Sequence, residues 1–230
     1  MSRKRFLFLL RSIRFDNVDT RLDRRRSDKF APLREIYEDF DNNLKKYYSL
    51  GPHVTIDEKV EKTRGRCPFC QYIPSKPGKY GVKLHLMADS KTFYTYNIEP
   101  YVGTNEGPYN LSNSASDVVK RLVTPIRGSH RNIVMDNWYT SLPLSQDLLH
   151  EYGLTSLGTI RKNKPQIPAI FSATQRREEK SSMFGFQNDC TLVSYVSRKN
   201  KVVLLVSTMH HDASRDQNSG EIIGTSVALM

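Results

Sequence analysis

The sequence predicts an α/β fold, and three observations predict it. Up to about residue 48, apolar residues recur at helical spacing. After Gly51-Pro52 the pattern switches to short, β-prone apolar runs. From Ser114 onward, helical and strand-like segments alternate. With 230 residues and 26.5 kDa, the chain is long enough to bury a substantial core.

Each element has its own signal. MSRKRFLFLLRSIRF resembles a signal peptide at first sight, but its apolar stretch Phe6–Leu10 is too short, and Arg11 and Arg14 follow. It reads as a helix that Ser2 can cap, with Phe6, Leu9, Leu10 and Ile13 on one face. The polar stretch DNVDTRLDRRRSDK reads as a loop. In KFAPLREIYEDFDNNLKKYY, residues Leu33, Ile36, Tyr37, Phe40, Leu44 and Tyr47 fall at helical spacing, and Lys45 and Lys46 suit the C-terminal end. His53–Val60 reads as a strand, and Lys62–Lys79 as a basic loop in which Pro68, Pro74, Pro77 and Gly78 oppose regular structure. Tyr80–Ala88 and Phe93–Val102 form a hairpin around Asp89-Ser90-Lys91. Ser114–Pro125 is helical, Asn132–Met135 a short buried strand, and Pro143–Tyr152 a helix with proline in its first turn. Gly153 ends that helix before the strand Leu154–Ile160. Residues 161–182 read as loop, followed by β runs at Met183–Phe186, Thr191–Val196 and Val202–Met209. From His53 to Ile160 the order is therefore β-β-β-α-β-α-β, that of an RNase H-like core, with a small β-rich insertion after it and a helical segment before it.

In such a core the first and fourth strands are neighbours. Asp57, in VTIDEKV, lies on the first, and Asp136, in NIVMDNWYTS, ends the fourth, 79 positions later. The two carboxylates are then expected to meet and to hold Mg²⁺, a hard cation that takes oxygen ligands. A pair of such ions would clamp the attacking and leaving oxygens of a phosphodiester displacement, which usually requires at least three carboxylates. The alternative for Asp136 is a turn former or helix cap. Glu58 follows Asp57 on a strand and points to the opposite face, and Asp89 lies in a hairpin turn.

The net charge of +11 and pI near 9.6 call for a polyanionic partner, DNA first among them. Residues 1–34 hold 11 Lys/Arg against 4 Asp, and residues 59–83 hold 7 against Glu61 alone. Arg64, Arg66, Lys76 and Lys79 are candidate DNA contacts, expected beside the two aspartates, and Arg161, Lys162 and Lys164 are further candidates. No apolar run approaches the length of a membrane span. Three cysteines suit a reducing compartment. Cys67-Pro-Phe-Cys70 has CxxC spacing, but no second CxxC or HxxxH completes a zinc site, and its loop lacks the strand–helix setting of a thioredoxin-type motif. His210-His211-Asp212 reads as a solvated turn.

The stretches VTIDEKV, RGRCPFCQYIPSKPGKYGVKLHLMADSKTFYTYNIEPYVG, RNIVMDNWYTSLPLSQDLL, LTSLGTIRKNKPQIP and NKVVLLVSTMHHD together resemble the piggyBac-type transposases and the host proteins derived from them, from about Met1 to Ile223. The resemblance implies an RNase H-like catalytic core with an inserted β-rich domain. It also implies an Asp triad that binds divalent metal, cleavage and joining of DNA at TTAA, and a nuclear location. Asp57 and Asp136 match the first and second family aspartates. The third is expected in a segment resembling FYN-x-TKGGVD, where this chain reads Glu221-Ile222-Ile223 and then Gly224 to Met230 without an acidic residue. Asp212 and Asp216 precede the helix that should present that ligand, so neither replaces it. Glu61 and Lys62 stand where the family has an apolar-aromatic pair, and Cys70 where it has arginine.

The resemblance divides the chain into residues 1–50, a remnant of the family's N-terminal DNA-binding and dimerisation region; 51–162, the first part of an incomplete core; 163–223, the β-rich insertion; and a divergent 224–230. The family's C-terminal cysteine-rich finger has no counterpart in the sequence. The expectation is a transposase-like fragment that binds DNA weakly or not at all and does no chemistry. A co-opted DNA-binding or dimerising protein, as homodimer or with a full-length relative, is the alternative. An active nuclease or transposase would require a partner to supply the third carboxylate.

Overall fold

The computed structural model describes residues 1–63, 65 and 67–213. It divides into two compact units. One comprises Met1–Tyr48, Lys59–Leu84 and Pro100–Asn113, and the other Ser49–Glu58, His85–Glu99 and the described residues from Ser114 onward.

The first unit opens with α1 (Arg3–Ser12), whose Ser2 hydroxyl accepts the Arg5 N–H at 3.3 Å. No residue of α1 is buried, so the apolar face seen in the sequence is exposed here. Where the sequence predicts a loop, α2 (Arg21–Ser27) forms instead. Its one apolar residue, Leu22, is exposed, so no periodic signal marked it. Charge organises it: Arg21 and Arg24 both bind the Asp16 carboxylate, and Arg24 also donates to the Ala31 carbonyl. Asp28, capping its C-terminus, takes both Arg34 nitrogens at 2.9 Å. Arg34 begins α3 (Arg34–Lys46), the expected second amphipathic helix, with Lys45 and Lys46 in its last turn. Phe30 packs edge-on against Tyr37 and Phe69. The basic segment also departs from expectation, because Cys70–Tyr72 form a short strand, β2. Its prolines lie outside those three residues and so remove no ladder donor.

Strand β1 (His53–Lys62) alternates as a half-buried strand should, with Val54 and Ile56 inaccessible and His53 and Asp57 exposed. β3 (Tyr80–Asp89) and β4 (Thr95–Pro100) form the expected hairpin. Asp89 sets its turn, accepting from Lys91 and Thr92 N–H groups on Oδ1 and from Gly51 N–H on Oδ2. β5 (Asn132–Met135) is buried along its whole length. It lies between β1 and β6 (Thr155–Thr159), parallel to both. A one-turn helix, Ala169–Ser172, interrupts the segment expected to be loop, because Phe171 inserts into a core with Ile160, Cys190, Leu204 and Val206. β7 (Ser182–Gln187), β8 (Cys190–Arg198) and β9 (Lys201–Ser207) are successive antiparallel neighbours, and β9 hydrogen-bonds to β6. The sheet order is β2-β3-β1-β5-β6-β9-β8-β7, with β4 also on β3.

Two helices flank β5 in sequence. The one at Ala115–Val123 is capped by Ser114, which accepts the Asp117 N–H at 3.1 Å, and it buries Val118, Val119, Leu122 and Val123. Arg121 binds Glu99 through two nitrogens at 2.8 and 2.7 Å. The other, Leu142–His150, is capped by Ser141 and carries Pro143 in its first turn. The chain leaves it through Gly153, whose φ of +61° is the left-handed conformation that a C-terminal stop favours.

Candidate functional site

The β1–β5 register runs His53↔Asn132, Val54↔Ile133, Thr55↔Val134 and Ile56↔Met135. Asp57 continues β1 and Asp136 follows the last residue of β5, so each comes directly after the paired Ile56 and Met135. Both are exposed, whereas the residues just before them, Ile56 and Met135, are buried. Glu58 is turned to the face of Val54 and Ile56, and its Oε2 is buried, as strand alternation requires.

Asp136 also does what its alternative reading proposed. Its Oδ1 accepts the Trp138 N–H at 2.9 Å and the Tyr139 N–H at 3.4 Å, and its carbonyl accepts the Thr140 hydroxyl at 2.8 Å. The capping and the paired-carboxylate roles are compatible, because Oδ2 accepts no hydrogen bond among the described residues. The turn fits closely over β6: a Cβ on Gly158 would stand 2.2 Å from Thr140 Oγ1 and 2.8 Å from the Met135 carbonyl.

Beneath the turn lies a buried aromatic cluster that the motif reading did not single out. Tyr139 is 1% exposed, and its hydroxyl is 2.6 Å from Nδ1 of buried His85. Trp138 stacks on the His85 ring at 5.6 Å and 17°, and meets Tyr139 edge-on at 4.6 Å. Burial pushes the Tyr139 hydroxyl far up, and the negative charges of Glu58, Asp57 and Asp136 add to it. The phenol therefore stays protonated and can donate to His85. The available signals were NWY directly after Asp136 and a polar His85 on the inward alternation of β3 with Met87 and Asp89.

Of the candidate DNA contacts, Arg161 stands nearest in bonding to this turn. It is exposed, and its Nε donates to Asn137 Oδ1 at 3.2 Å, one residue beyond Asp136. Lys162 is exposed and Lys164 half-buried. Lys76 and Lys79 belong to the other compact unit, Lys79 being exposed, and Arg64 and Arg66 lie outside the described residues, as do Asp216 and residues 221–230. Among the described residues, no cluster of three or more His, Cys, Asp or Glu is arranged to hold a metal. His210 takes part in a local bond instead, with Nδ1 2.9 Å from the Ser207 hydroxyl. No described helix is long and apolar enough to cross a membrane.

A large mixed sheet with helices around its parallel strands makes this an α/β protein, and comparison with known proteins supplies the family. The family model described as Transposase IS4 matches residues 1–227, and the chain belongs to that family, in its piggyBac-type branch. The structure resembles that of a piggyBac transposase determined by cryo-EM as a synaptic complex with hairpin DNA, with a TM-score of 0.90, 43% identity and 98% of this chain covered. Human piggyBac transposable element-derived protein 3 is 24% identical over 166 residues, as is the human chimeric ERCC6-PGBD3 protein. The chain covers 47% of the solved transposase chain and 28% and 16% of the two human relatives.

Proposed function

We propose that this chain is a DNA-binding protein of the transposase type in which Asp57 and Asp136 form the metal-holding pair, and that residues 1–230 by themselves do not cut DNA. The observation that supports the reading is the β1–β5 register, whose last pair, Ile56↔Met135, directly precedes Asp57 and Asp136. The sheet order β4-β3-β1-β5-β6 supports an RNase H-like core, and on the same reading residues 163–223 form a β-rich insertion and residues 1–50 a helical segment of their own.

The donor set fits Mg²⁺. Two exposed carboxylates, one with an oxygen left over from its turn, are hard oxygen ligands of the kind this ion takes. When bound, the ion would supply charge stabilisation at a phosphate oxygen. The chain itself supplies position. The Trp138 and Tyr139 N–H groups hold the Asp136 carboxylate, and the His85–Tyr139 bond holds the turn from below. Arg161, braced by Asn137, offers a guanidinium to a phosphate beside that carboxylate, with Lys162 and Lys164 following. Lys76 and Lys79, together with Arg64 and Arg66, provide the second basic segment. Displacement at phosphorus also requires a further acidic ligand, and no described His, Cys, Asp or Glu completes a group of three. A nuclear location and dimerisation with itself or a longer relative follow from the same reading.

The test is incubation with a duplex carrying transposon ends, in Mg²⁺ or Mn²⁺. Binding without nicking is the expected result. Nicking that Asp136→Ala abolishes would overturn the inactive reading and point to a carboxylate supplied by a partner.

A further inference from the structure

The Cys67-Pro-Phe-Cys70 motif has no part in the proposed function, yet the fold builds a site around it. The Cys70 N–H donates to the Cys67 carbonyl at 3.4 Å, closing a turn over the two intervening residues. Pro68 occupies the position where a fixed φ favours such a turn. Phe69 is buried, packing at 5.8 Å on Phe30 and anchoring the turn to its unit. Cys70 enters β2 opposite Val82. Both thiols are free and half-buried. Tyr80 lies on β3 two residues before Val82, the partner of Cys70, and its hydroxyl acts to lower the Cys70 thiol. Cys190 is buried elsewhere in the sheet, beneath Phe171.

We propose that Cys67 and Cys70 form a dithiol modification site that exchanges with a low-molecular-weight disulfide, of which glutathione disulfide is the test case, to close a Cys67–Cys70 disulfide across the turn. The ends of a closed four-residue turn lie within the Cα separation a disulfide spans, and the anchored turn has already given up the freedom that closure would remove. The environments assign the order of attack. Burial pushes the Cys70 thiol up, and the adjacent Cys67 adds to the shift, which makes Cys70 the weaker first nucleophile. Cys67 releases its proton to solvent and attacks one sulfur of glutathione disulfide. A Cys67–glutathione bond forms, and one glutathione thiolate leaves and takes up a proton. Cys70 then loses its proton, its thiolate eased by the Tyr80 hydroxyl, and attacks the Cys67 sulfur. The Cys67–Cys70 bond forms and the second glutathione leaves. Two cysteine thiols are oxidised, and one glutathione disulfide is reduced to two glutathiones. This is a site of modification, not a thioredoxin-type catalyst, because no helix N-terminus follows Cys70 to lower a thiol pKa.

Intact mass and peptide mapping of the whole folded chain in glutathione redox buffers test the proposal. Wild type is expected to lose about 2 Da, with the loss mapping to a peptide holding both Cys67 and Cys70. Cys70→Ser cannot resolve the adduct and is expected to gain about 305 Da at Cys67. Cys67→Ser is expected to gain nothing at Cys70, Tyr80→Phe to accumulate the Cys67 adduct before closure, and Cys190→Ser to behave as wild type. The proposal is overturned by an unchanged wild-type mass, by modification confined to Cys190, or by a disulfide joining two chains. Wild-type mapping decides the matter even if a variant fails to fold. The experiment uses neither DNA nor metal, so its outcome is separate from that of the proposed function.

Discussion

At Tyr139 a single oxygen links the Asp136 turn to the core. Tyr139→Phe keeps the ring but leaves His85 Nδ1 without its 2.6 Å partner, which should cost about 1–3 kcal/mol in urea unfolding. An unchanged midpoint would show that the bond contributes nothing. Gly158→Ala should cost a similar amount, about 1–3 kcal/mol, because neither the Thr140 side chain nor the Met135 carbonyl can move away without disturbing the turn. Two carboxylates contribute to the acid limb of stability. The Arg21 and Arg24 guanidiniums hold Asp16 at about 2. Burial alone would raise Asp89, but the Gly51, Thr92 and Lys91 N–H groups outweigh it and bring it to about 2. Both bind protons more weakly folded than unfolded, so their contribution is complete above the ordinary carboxylate value near 3.8 and is lost as pH falls from there toward 2. Asp89→Asn should flatten the fall of thermal midpoint across that window. A slope equal to wild type would assign the acid limb to other groups.

The elements differ in what holds them, and exchange rates should report it. No residue of α1 is buried, whereas every residue of β5 is, between two parallel neighbours. Amide exchange should therefore be fast across Arg3–Ser12 and slowest across Asn132–Met135, and comparable protection would contradict this order. The same contrast explains what was legible in the sequence. β1, β5 and β6 announced themselves through inward-facing Val54 and Ile56 and through continuous apolar runs, because burial is written in side-chain type. Asp57 and Asp136 followed from those strands. α2 was not legible, because ion pairs at Asp16 and Asp28 hold it and charge carries no helical period. β2 was hidden by the prolines around it, and the His85–Tyr139 bond joins residues 54 positions apart, which no local pattern encodes.

For the whole molecule, the +11 charge predicts affinity for DNA that falls steeply with salt. Arg161→Ala should weaken binding across sequences and reduce the salt slope by about one, as loss of a single phosphate contact would. Anisotropy titrations from low to physiological ionic strength would show this, and binding flat in salt would remove DNA as the partner. Asp57 and Asp136 are proposed to act as one site. Mn²⁺ binding to residues 1–230, followed by the loss of the free-ion electron paramagnetic resonance signal, tests that directly. Asp57→Asn and Asp136→Asn should each weaken binding by about tenfold or more, and the double variant should lose less than the sum of the two, as residues sharing one ion must. Wild-type affinity in either single variant, or losses that simply add, would contradict a shared site.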